Sequence, residues 1–317
     1  MSGRRALAAL AAALALSACE VPEPPEAPPP PAAAPPAASP APPARGRALD
    51  PRLVALYGAQ ERRLLTQGLL RRDGGGPDTP FDAEDLTRDF VEIALFDEYQ
   101  ETANGRLVQR ATSSNLRRWE EPVRLGVTFG AGVPAATRAR DAADIALYAA
   151  RLARATGHPI SVTEPSRANF HVLVLGEDER RAAAPLLRRL VPRISEGSLR
   201  TATEIPRSIY CLALAFSEGG RFTYAGAVAI VRAEHPDLTR LSCYHEEIAQ
   251  GLGLANDSPT ARPSIFNDDE EFALLTGHDE LLLRMLYDPR LVPGMTAREA
   301  APIARLIAEE LLPGPGT

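Results

Sequence analysis

Two adjacent carboxylates, a carboxamide one helical turn further on, and an Asn-Asp pair beyond a glycine are the residues of this chain best placed to do chemistry. They fall in Tyr244-His245-Glu246-Glu247-Ile248-Ala249-Gln250-Gly251-Leu252-Gly253-Leu254-Ala255-Asn256-Asp257. On a helix Glu246, Gln250 and Gly253 stand at i, i+4 and i+7 and share a face, whereas Tyr244, Ile248 and Leu252 recur at i, i+4 and i+8 on a face that should meet the core. Glu246, Gln250, Asn256 and Asp257 are the candidate binding positions, and their oxygen donors suit hard cations such as calcium. Zinc in catalytic sites favours imidazole, and a neutral Gln oxygen is a feeble ligand for it. No metal or other cofactor is therefore expected to be resident, with weak metal binding left open. Glu247 is the candidate catalytic base, but a base of this kind needs a metal-bound water whose pKa falls to about 7. Glu246 and Glu247 can instead form a general acid beside a general base if desolvation raises one pKa. Adjacent helix positions diverge by roughly 100°, which works against that pairing.

The histidines do not complete a zinc site. Starting a frame at His245 puts Glu246 at the base position and Ala249 at the second ligand position, and alanine cannot coordinate. His245 and His278 remain candidates for supporting these residues, with a His245, Glu246, His278 group as one further arrangement. His158, His171 and His235 sit beside turns or in a strand and read as structural or exposed.

Several elements must position this segment. Apolar residues at Leu53, Tyr57, Leu64, Leu65 and Leu69 predict an amphipathic helix over Asp50 to Arg72, ended by Gly74-Gly75-Gly76-Pro77, and a second runs from about Asp82 to Gln100 with Leu86, Phe90, Ile93 and Phe96 on one stripe. Leu107 to Val108, Leu116 to Trp119 and Val123 to Phe129 read as strands. A long helix follows from Ala135 to Thr156, stopped by Gly157-His158-Pro159. Ile160 to Thr163 and Phe170 to Leu175 read as strands, then Glu179 to Leu190 as a helix. Ser208 to Phe216 and Phe222 to Val231 read as a hairpin about Gly219-Gly220, and Asp237 to Leu252 as the motif helix. The fold class is α+β with α/β-like order, a mixed sheet packed on the long helix and the motif helix after a helical N-terminal lead-in.

The chain begins with Arg4 and Arg5, an apolar run from Ala6 to Leu16, and Leu16-Ser17-Ala18-Cys19. The run is too short to span a bilayer and reads as a secretory signal over 1–18. Leu16 to Cys19 resembles the lipobox of bacterial lipoproteins, which implies a lipidated Cys19 anchored in a membrane of the cell envelope. Glu20, in place of the Asp that retains such proteins at the inner membrane, points to the outer membrane facing the periplasm. Residues 19–45 are nearly all Pro and Ala and predict a disordered, semi-rigid tether. The remaining divisions are a helical subregion over 46–105, the main domain over 106–295, and a C-terminal helix and tail over 296–317. A formal charge of −6, from 35 basic and 41 acidic residues without long blocks of one sign, gives no footprint for nucleic acid. Cys211 and Cys243, alone in a folded domain of an oxidising compartment, are expected to form a disulfide. Free buried thiols are the alternative, and a Cys243-His245 catalytic pair is disfavoured because residues two apart on a helix face different ways.

Taken in order, Gly226-Ala227-Val228-Ala229-Ile230, the Glu-Glu-x-x-Gln-x-x-Gly frame, Asn256-Asp257-Ser258, Ser264-Ile265-Phe266-Asn267 and the stretch from Phe272 through Asp279 to Leu286-Tyr287 resemble matrixin-type metzincins. In those enzymes His-Glu-x-x-His-x-x-Gly-x-x-His or Asp supplies the zinc ligands. The resemblance implies that Glu246, Gln250 and Asn256 or Asp257 stand at degenerate ligand positions, Glu247 at the base, and Phe266 where a methionine lies under the metal. The same block, with lipobox and tether, closely resembles an uncharacterised family of bacterial lipoproteins defined only as a domain of unknown function. That likeness spans about Leu86 to Met295, most specifically Cys243 to Pro293. The expected function is non-catalytic binding of a peptide, envelope protein or cell-wall strand. An active metallopeptidase-like hydrolase with nonstandard ligands and a purely structural lipoprotein are the alternatives.

Overall fold

A computed structural model describes residues 48–102, 107–267 and 269–312, and the chain from Arg45 onward clusters as one compact unit. The signal segment, Cys19 and the tether fall outside the described residues. Helix α1 (Pro51–Thr66) starts at Asp50, whose side chain accepts the Arg52 N–H, with proline in the first turn. The periodicity carries it to Arg72, yet it stops at Thr66. Gly68 takes φ 79°, and the Leu70 and Arg71 N–H groups turn to the carbonyls of Glu270 and Glu271 at 2.9 and 2.7 Å.

Helix α2 (Ala83–Ala94) is held at its start by a capping box of Asp82 and Asp85. It was expected to reach Gln100, but gives way to β1 (Phe96–Glu101), which pairs antiparallel with β2 (Leu107–Ser113). Phe96 prolongs the helical stripe on paper; pairing with β2 satisfies the backbone instead. The lead-in is thus helical only as far as Ala94.

The main sheet contains β3 (Val123–Phe129), β4 (Ile160–Val162), β5 (Phe170–Leu175), β6 (Cys211–Ser217) and β7 (Tyr224–Arg232), in the order β4-β3-β5-β7-β6. The first four neighbours in that order are parallel, and β6 lies antiparallel to β7 at the edge. The long helix α3 (Ala135–Thr156) has the predicted bounds and ends on Gly157 at φ 67°. Leu116 to Trp119, expected as a strand, makes only one bridge, from Arg118 to Thr223. The helix expected over Glu179 to Leu190 is two, α4 (Glu177–Arg181) and α5 (Ala184–Leu190), because Pro185 lacks the N–H to continue a ladder. A further helix, α6 (Glu196–Thr203), follows Ser195, whose hydroxyl accepts the Ser198 N–H.

Helices α7 (Asp237–Gln250), α8 (Gly277–Leu286) and α9 (Ala297–Leu311) complete the fold. All six residues of β5 are buried, as a central parallel strand covered on both faces requires. Phe170, Val172 and Val174 pack into the large core with Ile145 and Leu152 of α3 and Ile248 of α7. Leu173 and Leu175 pack with Leu187 of α5 and Leu199 of α6. Asp279, fully buried, accepts from Ser264 Oγ, the Ile265 and Thr276 N–H groups and Thr276 Oγ1 at 2.6 to 3.1 Å. One carboxylate therefore both caps α8 and holds the Ser264-Ile265-Phe266 turn, with Phe266 driven into the core.

Candidate functional site

The pose of α7 is fixed from four sides. Arg240 Nε and Nη2 donate to the two oxygens of Asp141 on α3 at 2.7 and 3.0 Å, and Tyr244 OH donates to Asp141 Oδ2 at 2.7 Å. Burial opposes charge on Arg240, but the hydrogen bond and charge of Asp141 outweigh it and the guanidinium stays protonated. Tyr148 OH donates to the His245 carbonyl at 2.6 Å. Cys243 is joined to Cys211 by the expected disulfide, with Cα atoms 5.9 Å apart. At the C-terminal end Trp119 Nε1 donates to the Gly251 carbonyl at 2.8 Å and Tyr287 OH to that of Leu252 at 3.1 Å. Gly253 then turns the chain at φ 132°, where a Cβ would lie 2.3 Å from the Arg117 carbonyl oxygen. Both facts demand glycine there.

With this pose Tyr244, Ile248 and Leu252 are buried as predicted. Glu246, Glu247 and Gln250, three, four and seven residues beyond Cys243, follow the disulfide towards β6 and enter a cavity of about 310 Å³ that Asp257 also lines. The structure thus brings together four of the residues singled out in the sequence. Oxygens of Glu246 and Glu247 lie within 4.8 Å of each other and of Cys211 Sγ, so the long side chains overcome the divergence of their positions. Gln250 Nε2 donates to Asp257 Oδ1 at 3.3 Å. Asn256 is not part of the cavity wall: its amide donates to the carbonyls of Glu92 and Asp257, tying the loop to α2.

Glu98, Tyr99 and Glu270 also line the cavity, and sequence reasoning missed them. Glu98 and Tyr99 were hidden by the reading of β1 as helix. Glu270 sits at φ 60° on a loop, an unusual backbone for a non-glycine residue, and no pattern marks it. Five carboxyl groups face the cavity and none of its lining residues is Lys, Arg or His. Burial first, then Glu98 and Asp257, push Glu247 well above the carboxylate range; burial first, then Glu247 and Asp257, do the same to Glu246. Burial likewise raises the Tyr99 phenol. A carboxyl that keeps its proton beside an ionised one can donate and accept protons, and the same oxygens can bind a cation.

A second cavity of about 240 Å³ shares Glu98, Tyr99 and Gln250 with the first and runs past Ala213 to Phe216 and Tyr224. Together the two form a cleft along β6, from Cys211 to Phe216. Residues of β1 contribute to both.

The two candidate supporting histidines lie elsewhere. His245 stacks on Tyr148 with ring centroids 3.9 Å apart, and its Nδ1 accepts the Leu275 N–H at 3.0 Å. Burial lowers its pKa to about 3, so it is neutral. His278 is fully buried, with Nε2 3.1 Å from Asp89 Oδ2 and Nδ1 3.7 Å from Asp279 Oδ1. These are ion-pair contacts lacking the alignment of hydrogen bonds. Burial opposes its charge, but the two carboxylates prevail and raise its pKa to about 9.

The folded pKa of His278 is above the unfolded one, so its stabilising charge is fully present below the ordinary value of about 6.5 and is lost as pH rises through about 9. The shift corresponds to about 3 kcal/mol at most. Glu246, Glu247 and the buried tyrosines are raised as well, so the share of His278 is the difference between the protein and its His278→Gln variant. Urea unfolding should show stability falling between about pH 7 and pH 10, and His278→Gln should flatten that slope. An equal slope in the variant would place the titration on another group.

Fold and site together define a mixed α+β domain with a carboxylate-walled cleft beside an edge strand. The chain belongs to the family described as Protein of unknown function (DUF2927), whose profile matches residues 83–305. No curated protein and no solved structure gives a match.

Proposed function

We propose that this chain is a non-catalytic, metzincin-like envelope lipoprotein domain whose cleft binds an extended peptide, such as a segment of an envelope protein. The observation that carries the reading is the cleft along β6. Among the described residues no strand pairs with the outer edge of β6, and the two joined cavities flank that edge over Cys211 to Phe216. An unpaired edge offers backbone donors and acceptors to an added strand, and adjoining cavities can take its alternate side chains.

The metzincin-like descent is supported by the strand, helix, glycine turn and following turn with α8 in the order given above, and by Glu246, Gln250 and Asp257 meeting at one cavity. The absence of imidazole from its lining residues favours binding over hydrolysis, because oxygen donors alone suit zinc poorly. Lipidation at Cys19 and residence at the outer membrane rest on the lipobox resemblance and on Glu20. The Cys211–Cys243 disulfide fits an oxidising compartment. One observation favours the hydrolase alternative, the raised carboxyls of Glu246 and Glu247.

The test is an array of extended peptides probed with the full-length chain, alongside an Ala213→Tyr variant that fills the cleft. The expected result is selective binding, weakened about tenfold or more by the variant, about 1.4 kcal/mol, with its melting temperature kept. Undiminished binding by the variant rejects the cleft, and peptide turnover abolished by Glu247→Gln makes the protein a hydrolase.

A further inference from the structure

The acidic end of the cleft carries a separable inference. Glu247 is 3 % exposed, lines the cavity, and its Oε2 is buried without any hydrogen-bond partner. A carboxyl oxygen withdrawn from water and left unpaired is costly, and native proteins meet that cost by protonation, a counter-charge or an ion. None of the lining residues supplies a positive charge.

The donor set decides which ion. The one cluster of ligating atoms found among the described residues joins Glu246, Glu247 and Cys211. The Cys211 sulfur is in the disulfide, so it is no thiolate and cannot attract a soft metal. What remains of the cluster is the carboxylate oxygen of Glu246 and Glu247; Asp257 lines the same cavity outside that cluster, held by its hydrogen bond from Gln250. Calcium accepts six to eight oxygens in flexible geometry, whereas zinc prefers nitrogen and sulfur. The volume of about 310 Å³ leaves room for bound waters to fill the remaining coordination positions, at about 30 Å³ each.

We propose that Glu246 and Glu247, completed by Asp257 from across the same cavity, bind a hard divalent cation, calcium in preference to zinc, at the acidic end of the β6 cleft. The ion answers the unpaired Glu247 oxygen and joins α7 to the loop that carries Asp257. This proposal does not depend on peptide binding, and its test uses no peptide.

Isothermal titration of the metal-stripped full-length chain with calcium chloride, magnesium chloride and zinc chloride should show one calcium per chain. The expected Kd is on the order of 10⁻⁴ M or tighter. Glu247→Gln and Asp257→Asn should each weaken calcium about tenfold or more, while Glu310→Gln, on the exposed face of α9, should leave it unchanged. If Glu247→Gln fails to fold, Asp257→Asn decides the matter. No calcium binding up to about 10 mM, binding indifferent to both substitutions, or zinc bound more tightly than calcium at this site would overturn the proposal.

Discussion

Replacing Asp141 with alanine should destabilise the domain by about 3 to 5 kcal/mol, read as a lowered midpoint in equilibrium urea unfolding. The substitution strands Arg240, which is 3 % exposed, and removes the acceptor of the Tyr244 hydroxyl. Arg240 would keep the His235 carbonyl at 2.6 Å and the Asp237 carboxylate at 3.0 Å, which sets the expectation at the lower end of the range. The cost is that of an orphaned charge, not the net worth of the pair. Replacing both partners by methionine should therefore recover much of the loss. A loss below about 1 kcal/mol in the single variant would mean that Asp237 compensates fully and that the α3 contact does not hold α7.

The Cys211→Ser, Cys243→Ser double variant should lose about 3 to 4 kcal/mol. The bridge closes a loop between residues 32 apart, and the estimate follows from the entropy that such a loop withholds from the unfolded chain. Here the bridge also joins the edge strand to the helix carrying Glu246 and Glu247, so the double variant should bind calcium and peptide more weakly as well as unfold earlier. Thermal unfolding with and without a reductant provides an independent check. An unchanged midpoint in both experiments would show that the unfolded chain is constrained by something else.

Much of this fold is legible in the sequence where one pattern prevails. The bounds of α3 follow from its apolar positions and the Gly157 stop, and β5 from an apolar run interrupted only by His171, because burial dictates both. Legibility fails where long-range pairing decides between periods. Phe96 suits the stripe of α2 equally well, and only the partner strand β2 makes β1 of it. The candidate site divides in the same way. Glu246, Glu247, Gln250 and Asp257 can be found from helical spacing and the glycine turn. Glu98 and Glu270 come from distant segments and have no local signal. Asn256 suits a wall residue by position, but its amide meets the Glu92 carbonyl near the end of α2 instead. His245 stands beside Glu246 in the sequence, yet a step of one residue on a helix turns it towards Tyr148 of α3.

The contacts that hold α7 and the groups that fill the cleft are almost separate sets. Asp141, Tyr148, Trp119 and Gly253 fix the helix without lining the acidic cavity, while Glu246, Glu247, Gln250 and Asp257 line it without making those contacts. Side chains in the second set can be exchanged while the first preserves their positions. A frame of this kind can outlive a change of chemistry, and it is equally a scaffold on which ligands can be rewritten. Gly253 marks its limit: with a carbonyl oxygen 2.3 Å from where a Cβ would stand, that position is closed to revision unless the segment through Arg117 moves with it.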